Sequence, residues 1–205
     1  EIVSTLKLPP DEPATDHCGN CTKCIDACPT NAFPEPYVMN ASRCISYLTI
    51  EHKSSIPKQL RSKIGNWVYG CDICQDVCPW NKRASVSDEP AYKSRKDFDK
   101  PPLIEWMQLD KEEFKKKFRK NPAKRPKRRG LLRNVAVALG NSGSQSSVPS
   151  LIVALMDEEP LIRSHAAWSL GQLKGDSAYK ALLNQKDKEK DLSVLEEIHS
   201  ALKKF

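Results

Sequence analysis

Apolar positions recur at helical spacing mainly in the last part of the chain. In "LLRNVAVALGNSG", Leu131, Leu132, Val135 and Leu139 share one face, and Gly140 stands where a helix would end. "PLIRSHAAWSLGQLKG" repeats the pattern, with Pro160 near its start and Gly171 near its end. Superposing Gly140 on Gly171 lays "AVALG" over "AWSLG" at an offset of 31 residues, and "VPSLIVAL" and "YKALLNQK" follow roughly in register. A last helix is expected to carry Leu195, Ile198, Leu202 and Phe205 on one face. Paired amphipathic helices repeating in this way predict a short HEAT-like array, whose units bury their apolar faces against one another. The period is short of the usual ~40–47 residues, so two hairpins alike by chance remain the alternative.

Upstream the pattern breaks up. Residues 1–17 are rich in Pro and Asp and predict a linker, and residues 18–85 hold all eight cysteines. Residues 86–113 form a polar connection, since "KRASVSDEPAYKSRKDFDKPP" carries turn and breaker signals at both ends. Residues 114–205 hold a basic stretch and the helices. Within the cysteine region, "IPKQLRSKIGN" predicts a helix with Pro57 in its first turn and Gly65 at its end. The start, "EIVSTLKLPPDEP", has neither a basic n-region nor an apolar h-region, so no signal peptide is expected. It lacks an initiator methionine, and the chain is expected to be the C-terminal piece of a longer protein in which residues 1–17 lead from an N-terminal domain.

Composition narrows the class. Of 205 residues, 39% are hydrophobic, enough for a core. Apolar runs such as "LIVALM" are far below the roughly 18 residues of a membrane span, so no membrane association is expected. The net charge of +7 is unevenly spread. From Phe114 to Met156 there are eleven Lys/Arg and no Asp or Glu, whereas the first thirty residues carry five acids and two bases. Such polarity predicts an acidic partner for the basic region.

The cysteines carry the sharpest signal. Cys18, Cys21, Cys24 and Cys28 read C-x2-C-x2-C-x3-C-P; Cys71, Cys74 and Cys78 read C-x2-C-x3-C-P, the same run without its first member, which Cys44 supplies. Cysteines two residues apart are poorly placed for an unstrained disulfide. A zinc site draws four tetrahedral ligands, usually as two distant pairs. An iron–sulfur cube instead takes three closely spaced thiolates and a remote fourth. In two-cluster ferredoxins the fourth cysteine of such a run ligates the other cluster. Applied here, cluster one takes Cys18, Cys21, Cys24 and Cys78, and cluster two takes Cys28, Cys44, Cys71 and Cys74. The expected fold is therefore mainly α, or α+β: a bacterial two-[4Fe–4S] ferredoxin-like module followed by a short all-α HEAT-like array. Trp67, Tyr69 and Trp80 flank the second run, either shielding a cluster from water or packing as ordinary core. His17 is either a hydrogen-bond donor to a sulfur or a solvated loop residue.

"FKKKFRKNPAKRPKRRGLLRN" has the density of Lys and Arg that neutralises phosphates. Pro122 and Pro126 keep its middle from forming one helix, so the charges are expected on a loop feeding a helix N-terminus. A basic edge on a helical array suits RNA recognised by shape and backbone; a solvated loop is the bland alternative. The RNA-facing candidates are Lys127, Arg128, Arg129, Arg133 and Asn134. For Arg133 and Asn134 a salt bridge or cap inside the repeat is the competing expectation.

"DHCGNCTKCIDACPTNA", "RCISYLTIEHK", "YGCDICQDVCPWN" and "KRRGLLRNVAVALGN" together resemble the epoxyqueuosine reductase family. The resemblance runs over most of residues 9 to 175. It implies reduction of the epoxide of epoxyqueuosine to queuosine at the wobble position of certain tRNAs, with cobalamin and two [4Fe–4S] clusters. It implies single electrons passing from the clusters to cobalt, with cluster two nearer the corrin, and an anticodon stem-loop as the RNA partner. The family's N-terminal domain, with the catalytic acid and most of the cobalamin pocket, is not matched by any residue here, so no catalytic residue is assigned. From "SYLTIE" and "CDICQ", Ser46, Tyr47, Cys71 and Asp72 are the expected contacts to cobalamin or the modified nucleoside. The electron donor is left unidentified beyond its low potential. Low-potential clusters and tRNA both place the expected compartment in the reducing cytoplasm. Two other readings fit the cysteines: a ferredoxin-type electron carrier with a helical protein-docking array, and a zinc-stabilised RNA-binding protein.

Overall fold

The computed structural model describes residues 3–94 and 96–205, with only the backbone for Lys96 and Asp97. Glu1 and Ile2 of the expected linker and Arg95 of the connection lie outside the described residues. Among the described residues, regular structure is helical, with one isolated bridge between Glu35 and Val38. Of the two expected classes, the chain takes the mainly α one. Four short helices belong to the cysteine region: α1 (Lys23–Ala27), α2 (Ile45–Ile50), α3 (Lys58–Arg61) and α4 (Ile73–Asp76). The connection adds α5 (Lys96–Asp99), α6 (Leu103–Trp106) and α7 (Lys111–Lys117). The array comprises α8 (Lys127–Asn141), α9 (Val148–Ala154), α10 (Pro160–Leu173), α11 (Asp176–Lys186) and α12 (Leu192–Leu202).

Local chemistry sets the ends of these helices. Asp110 and Glu113 form a reciprocal capping box at the start of α7, and Lys115, Lys116 and Lys117 sit at its negative end. Pro57 precedes α3, and a 3-10 turn over Ser62–Ile64 carries the chain to Gly65, where φ of 62° favours glycine.

α10 lies at the centre of the array and touches α8, α9, α11 and α12. Gly171 lies near the end of α10, as expected, and Gly140, expected to end its helix, stands one residue inside the end of α8. Both sit at crossings where helices approach closely. A Cβ on Gly140 would sit 2.7 Å from Ser169 Oγ and 2.9 Å from its Cα; on Gly171 it would sit 2.7 Å from Ala201 Cβ. The 31-residue repeat thus preserves a close helix crossing. The face of α12 is also displaced from the one expected. Val194, Ile198 and Ala201 are fully buried, while Leu195 and Leu202 are half-buried and Phe205 is exposed. The cause is the same crossing, which turns the small Ala201 onto α10.

The connection is less of a linker than its polarity suggests. Trp106 and Met107 are buried in the array's core, and the Trp106 ring meets Phe118 edge-on at 5.1 Å and Phe98 at 5.7 Å. The cysteine region and the array also share a core: Ile45, Leu48, Ile56, Leu60 and Ile64 pack with Val137 of α8 and Trp168 of α10. Five apolar side chains of the cysteine region are thereby held by two array helices.

Candidate metal centre

Two copies of one backbone turn present the cysteines. Thr22 before α1 has φ −112°, ψ 5°, and Asp72 before α4 has φ −112°, ψ 7°. α1 ends on the extended Cys28 (φ −72°, ψ 111°), and after α4 and Val77 comes the similarly extended Cys78 (φ −68°, ψ 123°); both cysteines precede proline. The amides match as well: Asn31 N–H bonds Cys28 O at 3.1 Å, and Asn81 N–H bonds Cys78 O at 3.1 Å. α1 and α4 lie against each other, which brings the two turns together. Cys44 has the same extended geometry, φ −67°, ψ 126°, immediately before α2. Arg43 Nε donates to Thr30 O at 2.8 Å, which draws the Cys44 turn onto the loop after Cys28.

The thiols fall into two neighbourhoods. Cys18, Cys21, Cys24 and Cys78 line one cavity of about 310 Å³, together with Cys74. His17, Lys23, Pro79, Trp80 and Arg83 complete its rim. Cys18 is set by its own amide, which donates to Asp16 Oδ1 at 2.8 Å, while Tyr37 Oη donates to Asp16 Oδ2 at 2.7 Å. That bond holds the Asp16 carboxyl below the usual range and pushes the Tyr37 phenol up to about 12.

Around Cys71 the other set gathers. Burial pushes the Cys71 thiol up, the Ile73 amide opposes it, and the nearby Cys74, Cys44 and Cys28 thiols add to the rise. Burial would raise Cys28 too, but the Ala32 amide at 3.3 Å from Sγ, with the Thr30 hydroxyl at 3.5 Å, outweighs it and lowers that thiol. Amide donors to sulfur are the contacts that tune an iron–sulfur centre. The donor set, eight free cysteines with backbone amides such as that of Ala32 aimed at sulfur, fits two cubes, in which each thiolate takes a different iron.

The aromatic candidates separate by role. Trp80 is 55% exposed on the cavity rim, its indole N–H donates to His17 O at 3.0 Å, and its ring lies 5.2 Å from the His17 ring. The His17 ring also meets Thr15 Oγ1 through Nε2, at 3.1 Å. Trp67 and Tyr69 pack on the two hydrophobic clusters, with Tyr69 Oη donating to Pro122 O at 2.8 Å.

Ser46 and Tyr47 occupy the first turn of α2, directly after Cys44, and Asp72 follows Cys71. The Gly70 amide donates to Thr49 Oγ1 at 3.0 Å and fixes the second pair beside α2. Tyr47 is 37% exposed and Asp72 is exposed, so both have free surface next to the Cys44–Cys71 neighbourhood.

The RNA-facing candidates divide sharply, and three of the five need correction. Lys127 and Arg129 are exposed at the start of α8. Arg128 is committed elsewhere: Nε donates to Leu109 O at 2.7 Å and the guanidinium pairs with Asp157. Arg133 is 0% and Asn134 1% exposed. Arg133 donates to the carbonyls of Leu48, His52 and Ser54, each at 2.7 Å, and to Asn134 Oδ1. Asn134 Nδ2 donates to Thr49 O at 2.8 Å and Val68 O at 2.9 Å. Neither side chain can reach an RNA. They cap the end of α2, not a turn of the repeat.

Sequence reasoning missed this interior polar set, which includes His165. The Ile56 amide donates to His165 Nε2 at 3.2 Å, so the ring proton sits on Nδ1 and is donated to Leu161 O at 2.8 Å. Burial, with Arg61 nearby, holds His165 well below the ordinary imidazole value, as that neutral form requires. Asn141 Nδ2 donates to Arg61 O and Gly65 O, both at 2.8 Å. The only signal available was polar residues on the apolar face of a helix.

Residues 17–81 match the family described as 4Fe-4S double cluster binding domain, and residues 127–203 match HEAT repeats. Epoxyqueuosine reductase of Xanthomonas campestris is 46% identical over 173 residues, 84% of this chain and 49% of that protein. Epoxyqueuosine reductase of Bacillus subtilis is 40% identical over 200 residues, 95% of this chain and 51% of that protein. A crystal structure of epoxyqueuosine reductase with an epoxyqueuosine-modified tRNA-Tyr stem loop superposes with a TM-score of 0.89 at 38% identity, covering 96% of this chain and 52% of that one. The chain belongs to the epoxyqueuosine reductase family. It spans about half the length of the curated relatives it matches. Among the described residues no helix is long and apolar enough to cross a membrane.

Proposed function

We propose that this chain is the electron-relay and RNA-facing portion of an enzyme that reduces epoxyqueuosine to queuosine at the tRNA wobble position. The observation that carries the reading is the likeness, over nearly the whole chain, to a reductase seen with an epoxyqueuosine-modified stem loop. In the net reaction the epoxide oxygen leaves as water, taking two electrons and two protons. When bound, the clusters and a cobalamin supply those electrons one at a time and at low potential. The crossed ligand sets are part of the proposal: Cys18, Cys21, Cys24 and Cys78 for cluster one, and Cys28, Cys44, Cys71 and Cys74 for cluster two.

The chain's own residues hold and orient. Asp16 and Tyr37 fix the Cys18 amide, Arg43 draws Cys44 to the Cys28 loop, and the Ala32 amide stabilises charge on Cys28. Ser46, Tyr47, Cys71 and Asp72 fit one wall of a corrin site, because Tyr47 and Asp72 present free surface beside the Cys44–Cys71 neighbourhood. The catalytic acid and most of the cobalamin pocket are proposed to lie in the length of the family that these residues do not span. Lys127 and Arg129 remain to neutralise backbone phosphates of the anticodon stem-loop.

Anaerobic analysis of the full-length native protein tests the reading. About eight irons and eight sulfides per chain are expected for two cubes, with bound or bindable cobalamin and conversion of epoxyqueuosine in tRNA. The same iron without cobalamin binding or turnover would favour the electron carrier, and zinc in place of iron would overturn the cluster reading.

A further inference from the structure

α8 meets the cysteine region through several side chains, and the fully buried Asn134 is the one that reaches the cysteine-bearing segments. Asn134 Nδ2 bridges two carbonyls from segments that lead to different cysteines: Thr49 O, in the helix that begins after Cys44, and Val68 O, three residues before Cys71. Its Oδ1 accepts from Arg133 Nε and Nη2 at 3.0 and 2.8 Å, so the amide cannot turn over without losing both halves of the arrangement. Arg133 holds the carbonyls at Leu48, His52 and Ser54 around the same helix end. One further bond completes the link: the Gly70 amide donates to Thr49 Oγ1, and Gly70 immediately precedes Cys71. All three side chains are fully buried, with Asn134 1%, Arg133 0% and Thr49 0% exposed.

We infer that Asn134 is a positioning residue for the second cluster, acting through Thr49 and Val68 to fix the spacing of Cys44 and Cys71. The inference rests on the crossed ligand assignment, which puts both cysteines on that cluster. The geometry of thiolates and nearby amides sets the potential of an iron–sulfur centre. A side chain that clamps two ligand-bearing segments therefore tunes one cluster and leaves the other untouched. The array is then not only an RNA-facing scaffold; it is the jig in which cluster two is held.

The structure supplies its own control. Asn141, two turns further along α8, has the same chemistry: its Nδ2 bridges Arg61 O and Gly65 O at 2.8 Å each. Those carbonyls also lie between Cys44 and Cys71, but neither adjoins a ligand. In the full-length holoprotein, Asn134→Ala and Asn141→Ala are compared by anaerobic redox titration, by EPR of the reduced clusters and by iron content. Asn134→Ala is expected to change the potential and spectrum of one cluster alone, or to lose that cluster and keep about half the iron. Asn141→Ala is expected to leave both clusters as in the wild type while lowering the melting temperature. Thr49→Val, nearly isosteric, removes the link to Gly70 together with the hydroxyl's bonds back to Ile45 O and Ser46 O within α2, and is expected to disturb the same cluster, so the test survives if Asn134→Ala does not fold. Identical cluster spectra, potentials and iron content in all variants would overturn the inference, as would equal disturbance by Asn134→Ala and Asn141→Ala. A wild-type protein without two clusters would instead refute the reading on which it rests.

Discussion

Arg133 stands in a basic run yet is fully buried, and replacing it separates an RNA contact from an interior clamp. In Arg133→Met the chain length is nearly kept and the guanidinium is lost. Four acceptors lose their donor: the carbonyls of Leu48, His52 and Ser54, and Asn134 Oδ1. Each orphaned buried acceptor costs about 1–3 kcal/mol. Against this, the cation no longer has to be kept out of water, a relief of several kcal/mol. Burial already pulls Arg133 down to about 10, with Arg129 acting in the same direction, and no carboxylate faces it among its partners. Breaking a buried charged network by deleting one member nets about 3–5 kcal/mol. At roughly 2–4 °C per kcal/mol for a chain of this size, the melting temperature should fall by about 6–20 °C. Anaerobic thermal unfolding of the cluster-loaded protein, followed by circular dichroism, reads this directly, and tRNA affinity measured well below the melting temperature should be unchanged. A variant that melts within about 1 kcal/mol of wild type but binds tRNA much more weakly would refute the interior placement.

Cys78→Ala should remove cluster one and leave cluster two, so iron falls from about eight to about four per chain; loss of cluster two instead would show the crossed ligation to be wrong. Lys127→Ala with Arg129→Ala should weaken tRNA binding and flatten its dependence on salt, whereas Arg128→Ala should chiefly lower stability through Asp157; filter binding at two salt concentrations, with a melt of each variant, distinguishes them. Gly140→Ala puts a methyl 2.7 Å from Ser169 Oγ, and overpacking of about 1–3 kcal/mol should outweigh the gain in helix propensity of about 1 kcal/mol; a more stable variant in urea unfolding would disprove the close crossing. Glu189, held at about 2 chiefly by its paired bonds from Arg163, has a folded value below its unfolded one. Its contribution is therefore complete above the ordinary carboxylate range and is lost as pH falls towards about 2. Acid unfolding of Glu189→Gln should show a shallower loss of stability over that window than wild type.

The double-cluster module was legible because its cysteines are written in spacing. Three thiolates on one short turn and a remote fourth can be read without knowing any other residue, and the two turns do share their backbone angles at Thr22 and Asp72. The repeat was legible for a related reason, since its period is stamped on apolar positions. Charge was a poorer guide. A run of Lys and Arg suggests one basic face, but a helix distributes consecutive residues around its axis. Lys127 and Arg129 therefore meet solvent, Arg128 meets Asp157, and Arg133 and Asn134 point into the protein. Nothing local distinguishes them, because what buries Arg133 is the end of α2, some eighty residues earlier in the chain. The same holds for Gly140, which mimics a helix stop until a second helix occupies the space a side chain would need. In each case the misread residue is one whose partner lies far away in sequence. Such residues concentrate where the array meets the cysteine region: Arg133, Asn134, Asn141 and His165 each bond to backbone between residues 48 and 68. Side chains that satisfy another segment's backbone constrain its position more tightly than apolar contact does, because hydrogen bonds fail over fractions of an ångström. An array built only to meet RNA would have no use for four of them. Their concentration between Cys44 and Cys71 is what a relay requires if its second centre must keep a fixed geometry while a large substrate docks alongside.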